Sequence, residues 1–210
     1  KFNKKDFIVL DDASDFENFH FNTKRKLKKN SCIYTGSFFK GKGFETIIEI
    51  SKKMKNVNFF LYGNDKFLSP TQIKNLPKNI FLCGYAYYSK IPNILLKHKI
   101  CLMPYSQKAF IDSGKIRNDK FISPLKLFDY LSSGKILIAS KLFAYSHILK
   151  DKKNCFLVKY DKIDDWVKTI NYVFKNYNRL DHIRKNARQS AKFYNWNKRA
   201  QSIITFAKFL

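Results

Sequence analysis

The chain has 210 residues, enough for one domain, and 45% of them are apolar, enough to bury a substantial core. That share, with 17% aromatic residues, excludes an intrinsically disordered chain. Lys and Arg number 41 against 16 Asp and Glu, a net charge of +25 that could draw nucleic acid, anionic lipid or phosphorylated substrates; Lys scattered along the whole chain fits AT-rich coding bias better, with an anionic membrane surface next.

Residues 1–30 form a connector. Phe7–Leu10 is a candidate strand, and the polar run Thr23–Asn30 should be solvated. Six short apolar runs follow: Cys32–Thr35, Val57–Tyr62, Ile80–Cys83, Ile100–Met103, Ile136–Ala139 and Cys155–Val158. Each ends at Gly, Pro, Ser or a charged residue, as buried strands do. Between them the spacing turns helical, with Phe44, Ile47 and Ile48, then Ile91, Ile94 and Leu95, then Leu125, Phe128 and Leu131, then Trp166, Ile170 and Val173. A helix is also expected after Ile136–Ser140, and two or three helices should follow the last strand. The alternation implies right-handed βαβ units, hence an α/β fold with a doubly wound parallel sheet and extra C-terminal helices. The sheet domain would cover 31–193, with 194–210 as a closing helix.

Cys32, Cys83, Cys101 and Cys155 show no Cys-x-x-Cys spacing and sit in or beside apolar runs, which fits free thiols in a reducing, cytoplasmic compartment. No stretch approaches the roughly 18 apolar residues of a membrane span. The chain opens on Lys1 and reads as a piece of a longer protein. His147 is expected to be structural, and His20, His98 and His182 solvent-facing. No Ser/His/Asp or metal-ligand constellation is visible. Asp112 and Ser113 lie in a long loop, 106–122, for which the sequence gives no choice between function and disorder.

In open parallel sheets ligands bind beyond the carboxyl ends of the strands, so residues just after each run carry the information. Gly36-Ser37-Phe38-Phe39-Lys40-Gly41-Lys42-Gly43 links the first strand to a helix. Its glycines permit close backbone approach and its lysines supply charge, although a glycine-rich turn with solvated lysines has the same composition. Ser123-Pro124 then precedes an apolar helix: Ser is a favoured N-cap and Pro a favoured first residue, so the helix should start at Ser123 or Pro124. Its free N–H groups form an anion site with Lys126 in the first turn, and Asp129 follows one turn later on the same exposed edge. Such an arrangement suits a diphosphate followed by a ribose diol. An ordinary Lys126–Asp129 ion pair on a capped helix fits the spacing equally well.

Ser-Pro-Leu-Lys-Leu-Phe-Asp-Tyr-Leu-Ser-Ser-Gly-Lys-Ile-Leu-Ile-Ala-Ser, residues 123–140, resembles a signature of the group 1 (family 4) GT-B glycosyltransferases. Tyr34-Thr35-Gly36-Ser37 with Lys42-Gly43, then Leu61-Tyr62-Gly63, Leu82-Cys83-Gly84-Tyr85, Leu102-Met103-Pro104-Tyr105 and Asn154-Cys155-Phe156-Leu157-Val158 are similar to that family's strand ends, in the same order. Val9-Leu10-Asp11-Asp12 resembles its hinge, and Tyr194-Asn195-Trp196 the start of its closing helix.

The resemblance implies the C-terminal, donor-binding domain of a retaining glycosyltransferase that needs no metal or other cofactor. Its partners would be a nucleoside diphosphate sugar and an N-terminal acceptor-binding domain of the same protein, with a surface glycan or lipid-linked precursor as acceptor. Gly36, Ser37 and Lys42 would face the diphosphate from one side, and Ser123, Pro124, Leu125 and Lys126 from the other. Asp129 would hold the ribose, Gly84 and Tyr85 would meet the base, and Tyr105 would stand at its strand end beside them. The chain departs from the family at three places. Ser37 stands where Arg is common, Asp129 is one methylene shorter than the usual Glu, and Phe121 occupies the place of a further acid. The other reading of the charge is a basic α/β module that binds polyanions without catalysis. No nucleic-acid-binding signature accompanies it, so peripheral contact with an anionic membrane is the expected form of any such contact.

Overall fold

The structure, a computed structural model, describes residues 7–20, 27–66, 68–107, 110–111, 116–117 and 122–208. Thr23–Lys26, Asp112, Ser113, Phe121 and Phe209 lie outside them.

The six apolar runs form six strands of one parallel sheet: β1 (Ser31–Thr35), β2 (Asn58–Tyr62), β3 (Ile80–Leu82), β4 (Ile100–Met103), β7 (Ile136–Ser140) and β8 (Phe156–Val158). Their order is β3-β2-β1-β4-β7-β8, every pairing being parallel. The 106–122 stretch contributes a two-stranded antiparallel ribbon, β5 (Phe110–Ile111) with β6 (Ile116–Arg117).

Parallel strands covered on both faces must be apolar at every position, and β1, β4 and β7 are buried throughout. Alternate residues feed two cores. Cys32, Tyr34, Ile100, Leu102, Ile136 and Ile138 meet α1 (Phe44–Lys53) and α5 (Ile163–Asn176), through Ile47, Ile50, Trp166 and Ile170. Ile33, Cys101, Met103, Leu137 and Ala139 face α3 (Ile91–Leu95), α4 (Leu125–Ser133) and α6 (Asp181–Ala191), through Leu95, Leu127, Phe128 and Ala187. This is the doubly wound, Rossmann-like α/β architecture. α7 (Trp196–Ala207) closes the chain and buries none of its residues.

Four expectations need correction. Phe7–Leu10 is not a strand: it has no ladder partner among the described residues, and its Leu10 carbonyl accepts from Arg199 of α7. After β7 the chain makes only a one-turn 3-10 segment at Phe143–Tyr145, because Tyr145 turns inward and donates to the Ser140 carbonyl at 2.8 Å. A helix the apolar spacing did not show, α2 (Pro70–Lys74), is nucleated by a capping box: Ser69 and Gln72 exchange hydrogen bonds. It buries no residue, so it leaves no apolar stripe. His98 is fully buried, its Nδ1 3.0 Å from Ser31 Oγ; His20 and His182 are exposed as expected. His147 is exposed and lies 2.8 Å from Asp11, pinning the first segment.

Candidate functional site

Strand order reverses between β1 and β4, and a cleft of about 770 Å³ opens at their carboxyl ends. That size suits a small organic ligand.

One wall is the turn after β1. The Tyr34 hydroxyl donates to the Ser37 carbonyl at 2.7 Å, and the Gly36 N–H donates to the Tyr62 carbonyl at 2.8 Å, drawing the turn against β2. Gly36 sits at φ +132, a conformation a side chain resists, and a Cβ there would come within 2.8 Å of Lys126 Cε. A Cβ on Gly63 would run into the Gly36 carbonyl oxygen. Gly63 in turn donates to the Gly84 carbonyl at 3.0 Å, so three strand ends are laced together by glycine backbones. Lys42 is half-buried along this wall, and burial lowers the pKa of its ammonium.

The opposite wall is α4. Its N-cap is Pro124, which offers no side-chain cap, and helical residues begin at Leu125. The expected Ser123 cap is absent because the Ser123 hydroxyl is engaged elsewhere, accepting from the Asp12 N–H at 2.9 Å. The helix amino terminus is thus left for a ligand. The edge bearing Lys126 and Asp129 is buried, not exposed: their relative exposures are 9% and 5%. Leu125, expected to face the core with Phe128 and Leu131, is half exposed instead, because as the first helical residue it lies at the mouth of the cleft, whereas the other two are fully buried.

Lys126 and Asp129 form no ion pair among the described residues. Lys126 Nζ has no hydrogen-bond partner there; it hangs 3.7 Å from the centroid of the Tyr34 ring and 5.2 Å from that of Tyr105. Burial, and then the charge of Lys42, push its pKa well below the usual lysine range. Asp129 accepts from the Tyr88 hydroxyl at 3.0 Å. Burial lifts its carboxyl to about 7; the Tyr88 bond opposes the rise and Asp15 adds to it. Burial also raises the phenol of Tyr105.

Ten of the eleven residues singled out from the sequence line this cleft: Gly36, Ser37, Lys42, Tyr85, Tyr105, Ser123, Pro124, Leu125, Lys126 and Asp129. Gly84 stands just behind, with its carbonyl tied to Gly63. Tyr85 is 73% exposed and packs edge-on to Tyr87 with ring centroids 5.7 Å apart, forming an aromatic rim. The structure adds Asp12, Asn64 and Tyr88. Only a helical reading of Tyr88–Lys90, the short 3-10 turn leading into α3, could have found Tyr88. Chemically, two crowded amines and an unblocked helix terminus could receive an anion. A buried carboxylate for hydroxyl groups lies one turn beyond.

Residues 15–190 match the family of glycosyl transferases group 1, and the chain belongs to that family. Over 71 residues it is 37% identical to the processive diacylglycerol alpha-glucosyltransferase of Acholeplasma laidlawii, a match covering 31% of this chain and 21% of that protein. The chain therefore spans about a fifth of the length of that relative. Two solved structures share the fold. HepE of Anabaena, in complex with UDP-glucose, has a TM-score of 0.75 at 14% identity, over 94% of this chain and 56% of that one. The C-terminal domain of LpcC, a group 1 family glycosyl transferase of Francisella tularensis, has a TM-score of 0.67 at 18% identity, over 88% of this chain and all of that one. Among the described residues no helix is long and apolar enough to cross a membrane.

Proposed function

We propose that the chain is the donor-binding half of a two-domain glycosyltransferase. A nucleoside diphosphate sugar occupies the cleft, and its sugar passes with retention to a glycan or lipid-linked acceptor held by an N-terminal domain of the same protein. The observation that carries this is Lys126: a buried ammonium without a hydrogen-bond partner among the described residues, crowded by Lys42 at an uncapped helix terminus. Beyond its contacts with the Tyr34 and Tyr105 rings, such a group gains its counter-charge when an anion arrives. In this reading the diphosphate takes its counter-charge from Lys42, Lys126 and the α4 N–H groups, without a metal. The same groups stabilise the diphosphate as it departs. Asp129 holds the ribose hydroxyls, and the backbone near Gly84 and Tyr85 meets the base. HepE, which shares the fold, is solved with UDP-glucose, and this supports the ligand class. Four free thiols fit a cytoplasmic setting, with peripheral contact between the basic surface and an anionic membrane.

Calorimetric titration with UDP, GDP and ADP, each beside its nucleoside, tests the reading. Lys126→Ala should lose about 10- to 100-fold in diphosphate affinity, the worth of one charge-assisted contact, and under about twofold in nucleoside affinity. Equal losses, or no binding by the unaltered chain, would overturn it. The 210-residue chain alone should transfer no sugar, and robust turnover would refute the half-enzyme reading.

A further inference from the structure

We infer that Tyr88 is a positioning residue for the ribose subsite: its hydroxyl occupies one oxygen of Asp129 and ties that carboxylate to the segment that leads into the domain. This rests on the reading of Asp129 as the ribose ligand. The observations are geometric. Tyr88 Oη donates to Asp129 Oδ1 at 3.0 Å, and the Asp15 N–H donates to Tyr88 Oη at 3.3 Å. The three groups form a relay from backbone to phenol to carboxylate, each donor pointing inward. Asp129 Oδ2 accepts nothing from the described residues, so it is the oxygen left for a ribose hydroxyl.

A carboxylate on so short a side chain has two torsions to settle, and a fixed donor on one oxygen settles both. A ribose hydroxyl donates more strongly to an ionised carboxylate, which is acceptor-only, than to the protonated acid, and burial works against ionisation here. Among the described residues, Tyr88 supplies the neutral side-chain donor that favours the charged form. Among the described residues, Asp15 on the first segment acts on Asp129, and Asp12, Lys126 one turn back on α4 and Lys42 line the same cleft. Asp15 disfavours the charged form. Tyr88 itself stays protonated, since burial and then the Asp129 charge both raise its pKa.

The experiment is calorimetric titration of the 210-residue chain with uridine, guanosine and adenosine from pH 5.5 to 9, for the unaltered chain and for Tyr88→Phe. The unaltered chain should bind one nucleoside more tightly as pH rises, with a midpoint near the Asp129 value of about 7. Tyr88→Phe keeps the ring and its packing but loses the donor, so the midpoint should move up by about one pH unit. At pH 7 that costs about five- to tenfold in affinity, recovered near pH 9. An unmoved midpoint, or a loss equal at every pH, would show that Tyr88 only packs and would overturn the inference while leaving Asp129 as ribose ligand. Nucleoside binding without a pH dependence would likewise overturn the inference alone, and no binding of any nucleoside by the unaltered chain would overturn both.

Discussion

Lys126 occupies the space that a side chain on Gly36 would fill. The ammonium arm crosses the cleft floor against the bare α-carbon of the opposite wall. Glycine at position 36 therefore does two things: it accepts φ +132, and it leaves a berth for the cation.

Gly36→Ala should push Lys126 out of that berth and strain the turn. A loss of about 1–3 kcal/mol in stability is expected from the backbone conformation alone. Diphosphate affinity should fall as it does in Lys126→Ala. In a Lys126→Ala background, the same glycine substitution should cost little further affinity, because the group it displaces is already gone. Thermal unfolding and calorimetry on the four chains check this; additive losses would separate Gly36 from Lys126.

Asp129 works against the fold it sits in. Its folded pKa is raised, so the carboxyl favours folding below about pH 4, and that contribution is lost as pH climbs through about 7. Asp129→Asn removes the titration while keeping an acceptor for Tyr88. At pH 8 it should gain about 2–4 kcal/mol more stability than at pH 4, where little of the penalty has yet built up. Denaturant unfolding at the two pH values measures it. The gain should be accompanied by loss of nucleoside binding, the usual exchange of stability for function at a site.

His98 behaves in the opposite sense. Ser31 Oγ donates to the Lys28 carbonyl, which leaves it to accept from His98 Nδ1–H, so the ring is neutral with a bare Nε2. Burial first, then Lys28, Lys135 and Lys97, lower its pKa to about 3. With a depressed folded value, stability is full above about pH 6.5 and drains as pH falls toward 3. His98→Phe should keep the contact with Phe60, whose ring centroid lies 5.0 Å away, and should flatten this acid limb by about 2–4 kcal/mol between pH 6.5 and 4. Matching acid profiles for the two chains would assign the limb to other groups.

The number of sheet strands and their places along the chain, to within a residue, were legible in the sequence because strands buried on both faces leave continuous apolar runs, such as Ile100–Met103; the order in which they pair was not. The cleft residues were legible because strand ends carry glycines where backbones meet, as at Gly36 and Gly63. Orientation was not. The period of α4 places Lys126 and Asp129 on one edge, but what covers that edge depends on Tyr34 and Tyr88, which are far away in sequence. For the same reason a polar neighbourhood such as Lys97-His98-Lys99 gave no hint that its histidine points inward. The first segment hid its packing too: Ala13, Phe16 and Phe19 are buried, yet three apolar residues in irregular backbone make no periodic pattern.

That first segment has a mechanical meaning. Ser14 pairs with Asn195 and bonds Ser132, while Arg188 reaches the Phe19 carbonyl and Arg199 those of Leu10 and Asp11. The beginning and the end of the domain are thereby moored side by side on its helical flank. Among the described residues two hydrogen bonds run from this mooring to the residues lining the cleft: the Asp12 N–H to Ser123, and the Asp15 N–H to Tyr88. A pull on residues 10–15 would reach the lip of the cleft through those two bonds before it loaded any strand of the sheet.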